Sequence, residues 1–367
     1  MSYDTDQVLE RAAAWRAEGR KIAIATVVRT WGSSPRPPGS KLAVNDRGEF
    51  VGSVSGGCIE PAVMHEARAV MAGAGPKVLE FGVSNEAAWE VGLACGGRVQ
   101  IYVEAPKAEL LERLLRDVRA QRPAVLVTWL ASGEQSLSHP DEAPPLSGAL
   151  PPSRPGAPPP SAPAGAPPSA GGPAGAALEA ELDDAARRAL AADESLVVES
   201  GARGEALVEP FNPPLRLLVV GAVHIAQPLA KMATEAGFSV VVIDPRKAFA
   251  SEERFGGVRC VRAWPDEALA SLAPDRRTAV VTLTHDPKLD DPALEAALRS
   301  PAFFVGCLGS QKTHRARLER LGARGFGGAE LARLHGPVGL RIGAKTPAEI
   351  AVSVLAQIVE RLRAGSP

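Results

Sequence analysis

Residues 215–245, LRLLVVGAVHIAQPLAKMATEAGFSVVVIDP, fit a strand, a helix and a second strand into about thirty positions. The apolar runs LRLLVVGA and SVVVIDP are continuous rather than alternating, as expected of strands covered on both faces, and HIAQPLAKMATEAG between them has helical character. The pattern repeats downstream. GVRCVRA, TAVVTLTHD and AFFVGCLGS read as strands, and DDPALEAALRS, QKTHRARLERLG and TPAEIAVSVLAQIVERLR as helices. Residues 212–367 are therefore expected to form an α/β domain, a Rossmann-like doubly wound parallel sheet.

In such a sheet the ligand lies beyond the carboxyl ends of the strands. Those ends carry Gly221-Ala222-Val223-His224, Asp244-Pro245-Arg246, Thr284-His285-Asp286 and Gly306 to Ser310. Asp244 ends the second strand, where an acidic residue holds a ribose hydroxyl. The glycine fingerprint is broken, because Val223 stands where the middle glycine lets the backbone approach a pyrophosphate; this disfavours NAD(P). His224 opens a helix, where it contacts an anion or simply caps and packs. His285, between Thr284 and Asp286 at a strand end, is a candidate binding residue. Ser310, Lys312, Thr313 and Arg315 at a helix start suit either a phosphate site or a capped helix with a basic outer face.

Upstream the character is mixed. KIAIATVVRT (21–30), KLAVND (41–46), RVQIYVE (98–104) and AVLVTWL (124–130) read as strands, and EPAVMHEARAVMAGAG (60–75) as a helix with Pro61 in its first turn and glycines past its end. LEAELDDAARRALA adds a helix, and SLVVES and GEALVEP a strand pair. Together they give an α+β module over 1–211, interrupted by an insert. Residues 133–177 hold thirteen of the 33 prolines, with Ala, Gly and Ser filling most of the rest, so the segment has too little apolar side chain to offset its ordering entropy and is expected to be disordered.

A length of 367 residues suits two domains. Lys plus Arg (41) and Asp plus Glu (42) nearly cancel, so no overall field draws the chain to nucleic acid or to an acidic membrane. No run of eighteen apolar residues occurs, and the charged amphipathic N-terminus has no apolar core of signal-peptide type. The expectation is a soluble, cytoplasmic protein. The four cysteines (58, 95, 260 and 307) are far apart and lack CxxC spacing, which argues against structural zinc and for free thiols.

Two of those cysteines lie beside paired glycines, in GSVSGGCIE (52–60) and in GLACGG (92–97). Cys58 precedes a helix whose dipole favours a thiolate. Gly56 and Gly57 allow a ligand close to the backbone, and Ser53 and Ser55 offer hydroxyls. Such a cradle suits a nucleophile, a sulfur acceptor or a soft-metal ligand, and a buried inert thiol is the competing account.

SSPRPPGSKLAV, GSVSGGCIEPAV, GLACGG, VVGAVHIAQPLA, VIDPR, TLTHDPKLDDPAL, LGSQKTHRARL and IGAKTPAEIAVSVLAQI, in that order, resemble the XdhC/CoxI family of molybdenum-hydroxylase accessory proteins. The resemblance covers nearly everything outside the insert. GAVH stands where many members carry GAGH. What the resemblance implies is a chaperone-like maturation factor rather than an enzyme. It would bind molybdenum cofactor (molybdopterin), assist sulfuration with a cysteine desulfurase and deliver the product to a xanthine dehydrogenase-like hydroxylase. Cys58 is the implied cofactor-binding residue and molybdenum ligand, and Cys95 with Gly96 and Gly97 is the second. Read from the residues themselves, Arg36, Lys41, Ser53, Ser55 and the glycine amides offer groups for the pterin and its phosphate, with solvated loop charges as the alternative for Arg36 and Lys41, and Gly221, His224, Asp244, His285 and Ser310 are the candidate ligand contacts of the second domain. A homodimer suits the architecture. Two other functions compete: an NAD(P)-dependent oxidoreductase working through His285 or Cys307, and a non-catalytic scaffold for hydroxylase maturation.

Overall fold

The computed structural model describes residues 3–32, 36–82, 97–140, 173–199 and 203–364. Cys95, Gly96 and positions 141–172 of the insert lie outside the described residues. The chain divides into two units, Met1–Pro213 and Pro214–Pro367.

The first unit contains two antiparallel sheets. One has the order β3-β2-β1-β5-β4, built from β1 (Ile22–Trp31), β2 (Lys41–Asn45), β3 (Phe50–Gly52), β4 (Lys77–Phe81) and β5 (Arg98–Glu104). Strand alternation explains its layering. Ala23, Ala25 and Val27 of β1 face the apolar side of helix α2 (Glu60–Ala69) with Ile59, Val63 and Ala67. Ile22 and Ile24 point the other way, toward α1 (Tyr3–Ala17) and α3 (Ala108–Arg119), among Val8, Leu9, Trp15, Leu111 and Leu115. The second sheet has the order β7-β6-β9-β8, from β6 (Ala124–Trp129), β7 (Gln135–Ser138), β8 (Leu196–Glu199) and β9 (Glu205–Phe211). One face of it packs on α4 (Pro173–Ala192) through Val125, Val127 and Trp129 against Ala185, Ala186 and Ala189.

Three boundaries differ from the sequence reading. The proline-rich composition suggests disorder from 133, yet Gln135–Ser138 pairs with Val125–Thr128 as an edge strand, and α4 begins at Pro173 inside the expected insert. The edge position explains the first difference, because one pairing partner suffices to order a short polar strand beside a buried one. The helix expected over 60–75 ends as an α-helix at Ala69 and continues as a single π turn, Val70–Ala74, in which Gly73 adopts φ 103°.

The second unit is one parallel sheet of order β12-β11-β10-β13-β14-β15, from β10 (Arg216–Val220), β11 (Ser239–Ile243), β12 (Arg259–Val261), β13 (Thr278–Thr282), β14 (Phe304–Cys307) and β15 (Leu334–His335). This is the doubly wound Rossmann order, and the direction of winding reverses between β10 and β13. Leu217, Val219, Val240, Val242, Ala279 and Val281 bury against α5 (Ala226–Glu235) and α11 (Pro347–Arg363). Their neighbours Leu218, Val220, Val241, Ile243 and Val280 bury on the opposite face against α7 (Pro265–Leu272) and α8 (Pro287–Arg299). Helices α6 (Glu252–Phe255), α9 (Gln311–Ala323) and α10 (Gly328–Leu331) complete the connections. Two covered faces account for the continuous apolar runs.

Candidate functional site

The loop 53–59 between β3 and α2 is organised by one carboxylate. Glu60, at the start of α2, accepts five hydrogen bonds from the loop. Its Oε1 receives Ser53 Oγ at 2.6 Å, Ser55 N at 2.9 Å and Val54 N at 3.2 Å, and its Oε2 receives Gly57 N at 2.9 Å and a short bond from Ser55 Oγ. Burial alone would raise its pKa, but the two serine hydroxyls and the Ser55 amide outweigh burial and hold the carboxyl at about 2. The loop also bonds to itself: Gly56 N donates to Ser53 Oγ at 2.8 Å and Ile59 N to Ser55 Oγ at 3.1 Å. Gly57 requires its φ of 119°, and a Cβ there would meet nothing within 4 Å.

Cys58 stands exposed on this framework, one residue before the helix N-cap Ile59. Burial among apolar groups, the competing account of this thiol, does not occur. The amides of Gly56 and Gly57, expected to cradle a phosphate, are instead spent inside the loop. Ser55 is likewise buried and committed to Glu60 and Ile59. Arg36 is half-buried and donates from Nε to the Ser53 carbonyl at 3.1 Å, so it braces the start of the loop. Gly97 is buried just before β5, where its Cα would lie 3.7 Å from a Cβ placed on Gly32.

Lys41 lies elsewhere. It is 4% exposed, donates to Glu209 Oε1 at 2.6 Å and Thr26 Oγ1 at 2.9 Å, and forms a closed ion pair in the interior. An ammonium with both contacts buried is not a phosphate ligand, so Lys41 leaves the candidate site. Beside this pair, burial, offset by Lys41 and reinforced by Glu209, pushes the Glu104 carboxyl up to about 7. Glu104 borders a cleft of about 460 Å³ together with Tyr102 and Gln135, and the Tyr102 hydroxyl has no hydrogen-bond partner among the described residues. Neither Glu60 nor Glu104 stands out in the sequence. The signal for Glu60 was an acidic residue in a helix first turn, three positions after a glycine pair.

In the second unit, Gly221 follows β10 at φ 103°, and a Cβ there would lie 2.4 Å from Thr284 Cγ2, so close approach of the segments after β10 and β13 demands glycine. His224 is exposed, and the N-cap of α5 is Ile225, so His224 neither caps nor packs. Val223 packs its side chain against the core on the α5 side of the sheet. Asp244 is fully buried and already saturated by Ala222 N and Arg246, which removes it as a free acceptor for a ribose diol. Asp286 caps α8 through Lys288 N, and Thr284 donates to Asp290, so neither engages His285, which stands exposed at φ 64°. Ser310 is the N-cap of α9 and accepts from Thr313 N at 3.1 Å, the capped-helix alternative.

Cys307 is buried, with Arg317 Nη1 at 3.0 Å from its sulfur. Burial, only partly offset by Arg317, pushes the thiol up to about 11. A thiol so held is protonated at neutral pH and is not a nucleophile. Cys260 is half-buried, with its sulfur 3.5 Å from the Val258 carbonyl. No group of three metal-ligating side chains occurs among the described residues, and no described helix is long and apolar enough to cross a membrane.

An antiparallel α+β unit bearing an exposed cysteine on a carboxylate-tied loop, followed in the chain by a Rossmann unit with a saturated acidic residue, defines a narrow class of protein. The chain belongs to the XdhC/CoxI family: residues 15–82 match the XdhC and CoxI family model, and residues 217–358 match the XdhC Rossmann domain. It is 24% identical over 364 residues, 98% of this chain and 89% of the relative, to the molybdenum cofactor insertion chaperone PaoD of Escherichia coli. It is also 24% identical over 343 residues, 93% of each chain, to a Bacillus subtilis protein named as a probable xanthine dehydrogenase subunit. A crystal structure described as a xanthine dehydrogenase from Bacillus halodurans matches the fold with a TM-score of 0.73 at 22% identity, covering 100% of this chain and 97% of the other.

Proposed function

We propose that this protein is a cytoplasmic maturation factor. It holds molybdenum cofactor as cargo at the Cys58 loop, supports its sulfuration by a cysteine desulfurase and hands it to a xanthine dehydrogenase-like hydroxylase. The observation that carries this reading is the loop itself: an exposed thiol on a turn whose neighbouring hydroxyls and amides are tied to Glu60 and to one another. A soft sulfur donor on a rigid base suits a molybdenum–dithiolene centre, and cargo must later leave, which favours one accessible donor over an enclosing cage. The relatives' names support the same direction.

The donor set fits one end of the cofactor better than the other. Cys58 offers a thiol to the metal end, whereas the glycine amides and Lys41 are unavailable to the phosphate. Arg36, which donates to the Ser53 carbonyl at the start of the loop, is the cationic candidate for that role. When bound, the cofactor supplies the molybdenum and sulfur chemistry. The chain's part is to present a thiol, keep the loop from collapsing and leave the face over Gly57 open.

The test is anaerobic incubation of the full chain with molybdenum cofactor, followed by gel filtration with pterin fluorescence and molybdenum content measured on the protein peak. Wild type should retain both and Cys58→Ala neither, with circular dichroism of the two proteins unchanged. Equal retention by the two proteins would remove Cys58 from the site, and retention by neither would defeat the carrier reading.

A further inference from the structure

Tyr102 and Glu104 stand two residues apart on β5, so both side chains leave the same face of the strand, where Tyr102 packs on Leu207 of the second sheet and Glu104 meets Gln135. One buried ammonium serves this face. Lys41 Nζ is spent on Glu209 Oε1 at 2.6 Å and Thr26 Oγ1 at 2.9 Å and makes no bond to Glu104. Glu104 Oε1 accepts from Gln135 Nε2 at 2.9 Å, and its second oxygen has no hydrogen-bond partner among the described residues. Two carboxyl groups thus share one interior cation, and the half-buried one, Glu104, has no counter-charge in bonding contact. Its raised pKa, caused chiefly by burial, is the consequence.

This carboxyl opens on the cleft of about 460 Å³, which is lined by Val70, Pro76, Tyr102, Glu104, Gly133 and Gln135 among others. Tyr102 is 1% exposed, yet its hydroxyl has no partner among the described residues. A hydroxyl buried without a partner costs free energy that a bound ligand would recover. Glycine keeps the approach to it clear: a Cβ on Gly133 would lie 3.1 Å from Tyr102 Oη and 2.7 Å from Pro76 Cγ, closing the gap between them. Two further charges border the cleft. Lys107 is exposed and makes no bond to Glu104, and Glu134 pairs at 3.6 Å with Arg203. The polar atoms left open inside are therefore acceptors, the Glu104 oxygen and the phenol, beside apolar Val70 and Pro76. The volume lies within the range of about 300–1,000 Å³ usual for small-molecule sites.

We propose that this cleft binds a small organic cation, its N–H head on the open oxygen of Glu104 and the Tyr102 hydroxyl, its apolar body along Pro76 and Val70. An ammonium and a guanidinium share this chemistry. The cleft has no residue in common with the Cys58 loop, so this assignment and the carrier reading stand or fail separately.

Calorimetric titration of the full chain at pH 8 with three probes of similar shape decides it: benzylamine, benzylguanidinium and benzyl alcohol. At least one cation should bind at least tenfold more tightly than the alcohol, and the tighter of the two identifies the head group. Cation affinity should fall about tenfold from pH 8 to pH 6, because a carboxyl that titrates at about 7 must lose its proton to receive a cation. The other ionisable groups around it are Lys41, Tyr102, Lys107, Glu134 and Glu209, so Glu104→Gln serves as the control. That variant keeps an acceptor for Gln135, and it should bring both cations down to the level of the alcohol and remove the pH dependence. Tyr102→Phe should weaken the preferred cation severalfold. Alcohol binding as tight as that of both cations, no heat with any probe, a cation preference that persists in Glu104→Gln, equal affinity at pH 6 and pH 8, or unchanged affinity in Tyr102→Phe would overturn the assignment.

Discussion

Replacing Glu60 by glutamine strikes the one group on which the cysteine loop depends. The carboxylate accepts from five donors and is 7% exposed, so solvent cannot replace it as an acceptor. Glutamine has one acceptor oxygen, and its amide would face donors at the other position. A pKa lowered from 4.5 to about 2 corresponds to about 3 kcal/mol of stabilisation of the folded state at neutral pH, at about 1.4 kcal/mol per decade. Because the folded value is the lower one, that stabilisation is complete above pH 4.5 and is lost as pH falls from 4.5 toward about 2. Glu60→Gln should therefore unfold at lower urea than wild type at pH 7, with a gap of about 2–4 kcal/mol that narrows steadily below pH 4.5. Tryptophan fluorescence reports mainly on the relevant unit, since Trp264 alone among the five tryptophans lies outside residues 1–213. Iodoacetamide labelling of Cys58 supplies a local readout, because a loosened loop should change the rate. An unchanged urea midpoint at pH 7, or a gap that stays constant down to pH 3, would refute the reasoning.

Lys41→Met leaves Glu209 buried without its partner and should cost about 3–5 kcal/mol in urea unfolding, most of it restored in the Lys41→Met/Glu209→Leu double variant. Glu104 has a folded pKa raised to about 7, so its contribution to stability is present below about pH 4.5 and declines as pH rises through 7; Glu104→Gln should flatten that decline and leave the variant the more stable protein at pH 8. Gly221→Ala brings a Cβ to 2.4 Å from Thr284 Cγ2 at a left-handed φ, and thermal unfolding should show a loss of about 2 kcal/mol or more, smaller in a Thr284→Ser background, where that methyl is gone.

The second unit is legible because its strands are buried on both faces: LRLLVV and SVVVI announce themselves by composition, and β10, β11, β13 and β14 fall where those runs lie. Strands β3 and β4 and helix α3 do not appear in the sequence reading. Phe50–Gly52 is only three residues long, and KVLEF has three exposed and two half-buried positions with no Val/Ile-rich run. AELLERLLRDVR is strongly amphipathic, and its pattern suffices to announce a helix. The site is legible in its residue types and not in their pairings. Sequence places a thiol among serines and glycines, but it cannot reveal that a carboxylate two residues beyond Cys58 absorbs the loop's donors, since that depends on how the turn closes. Lys41 misleads for a related reason. Its neighbours in sequence suggest a phosphate loop, whereas its partner Glu209 is 168 positions away, on a strand of the other sheet. The same distance effect hides the saturation of Asp244, because its acceptors are filled partly by Ala222, across from the neighbouring strand.

The four-stranded sheet of the first unit sets a hazard during synthesis. Strand β6, AVLVTW, is buried along its whole length and pairs on one side with β7, made almost at once, and on the other with β9, which starts 76 residues after Trp129. At about 5–20 residues per second, the second edge of β6 waits about 4–15 s for its partner to leave the ribosome. During that interval a buried, largely apolar strand presents unpaired amides and carbonyls, the geometry that recruits strands from other chains. Slow translation or truncation between β7 and β9 should thus drive this protein into inclusion bodies, whereas a stop after Phe211 releases a chain in which both sheets of the first unit have all their strands.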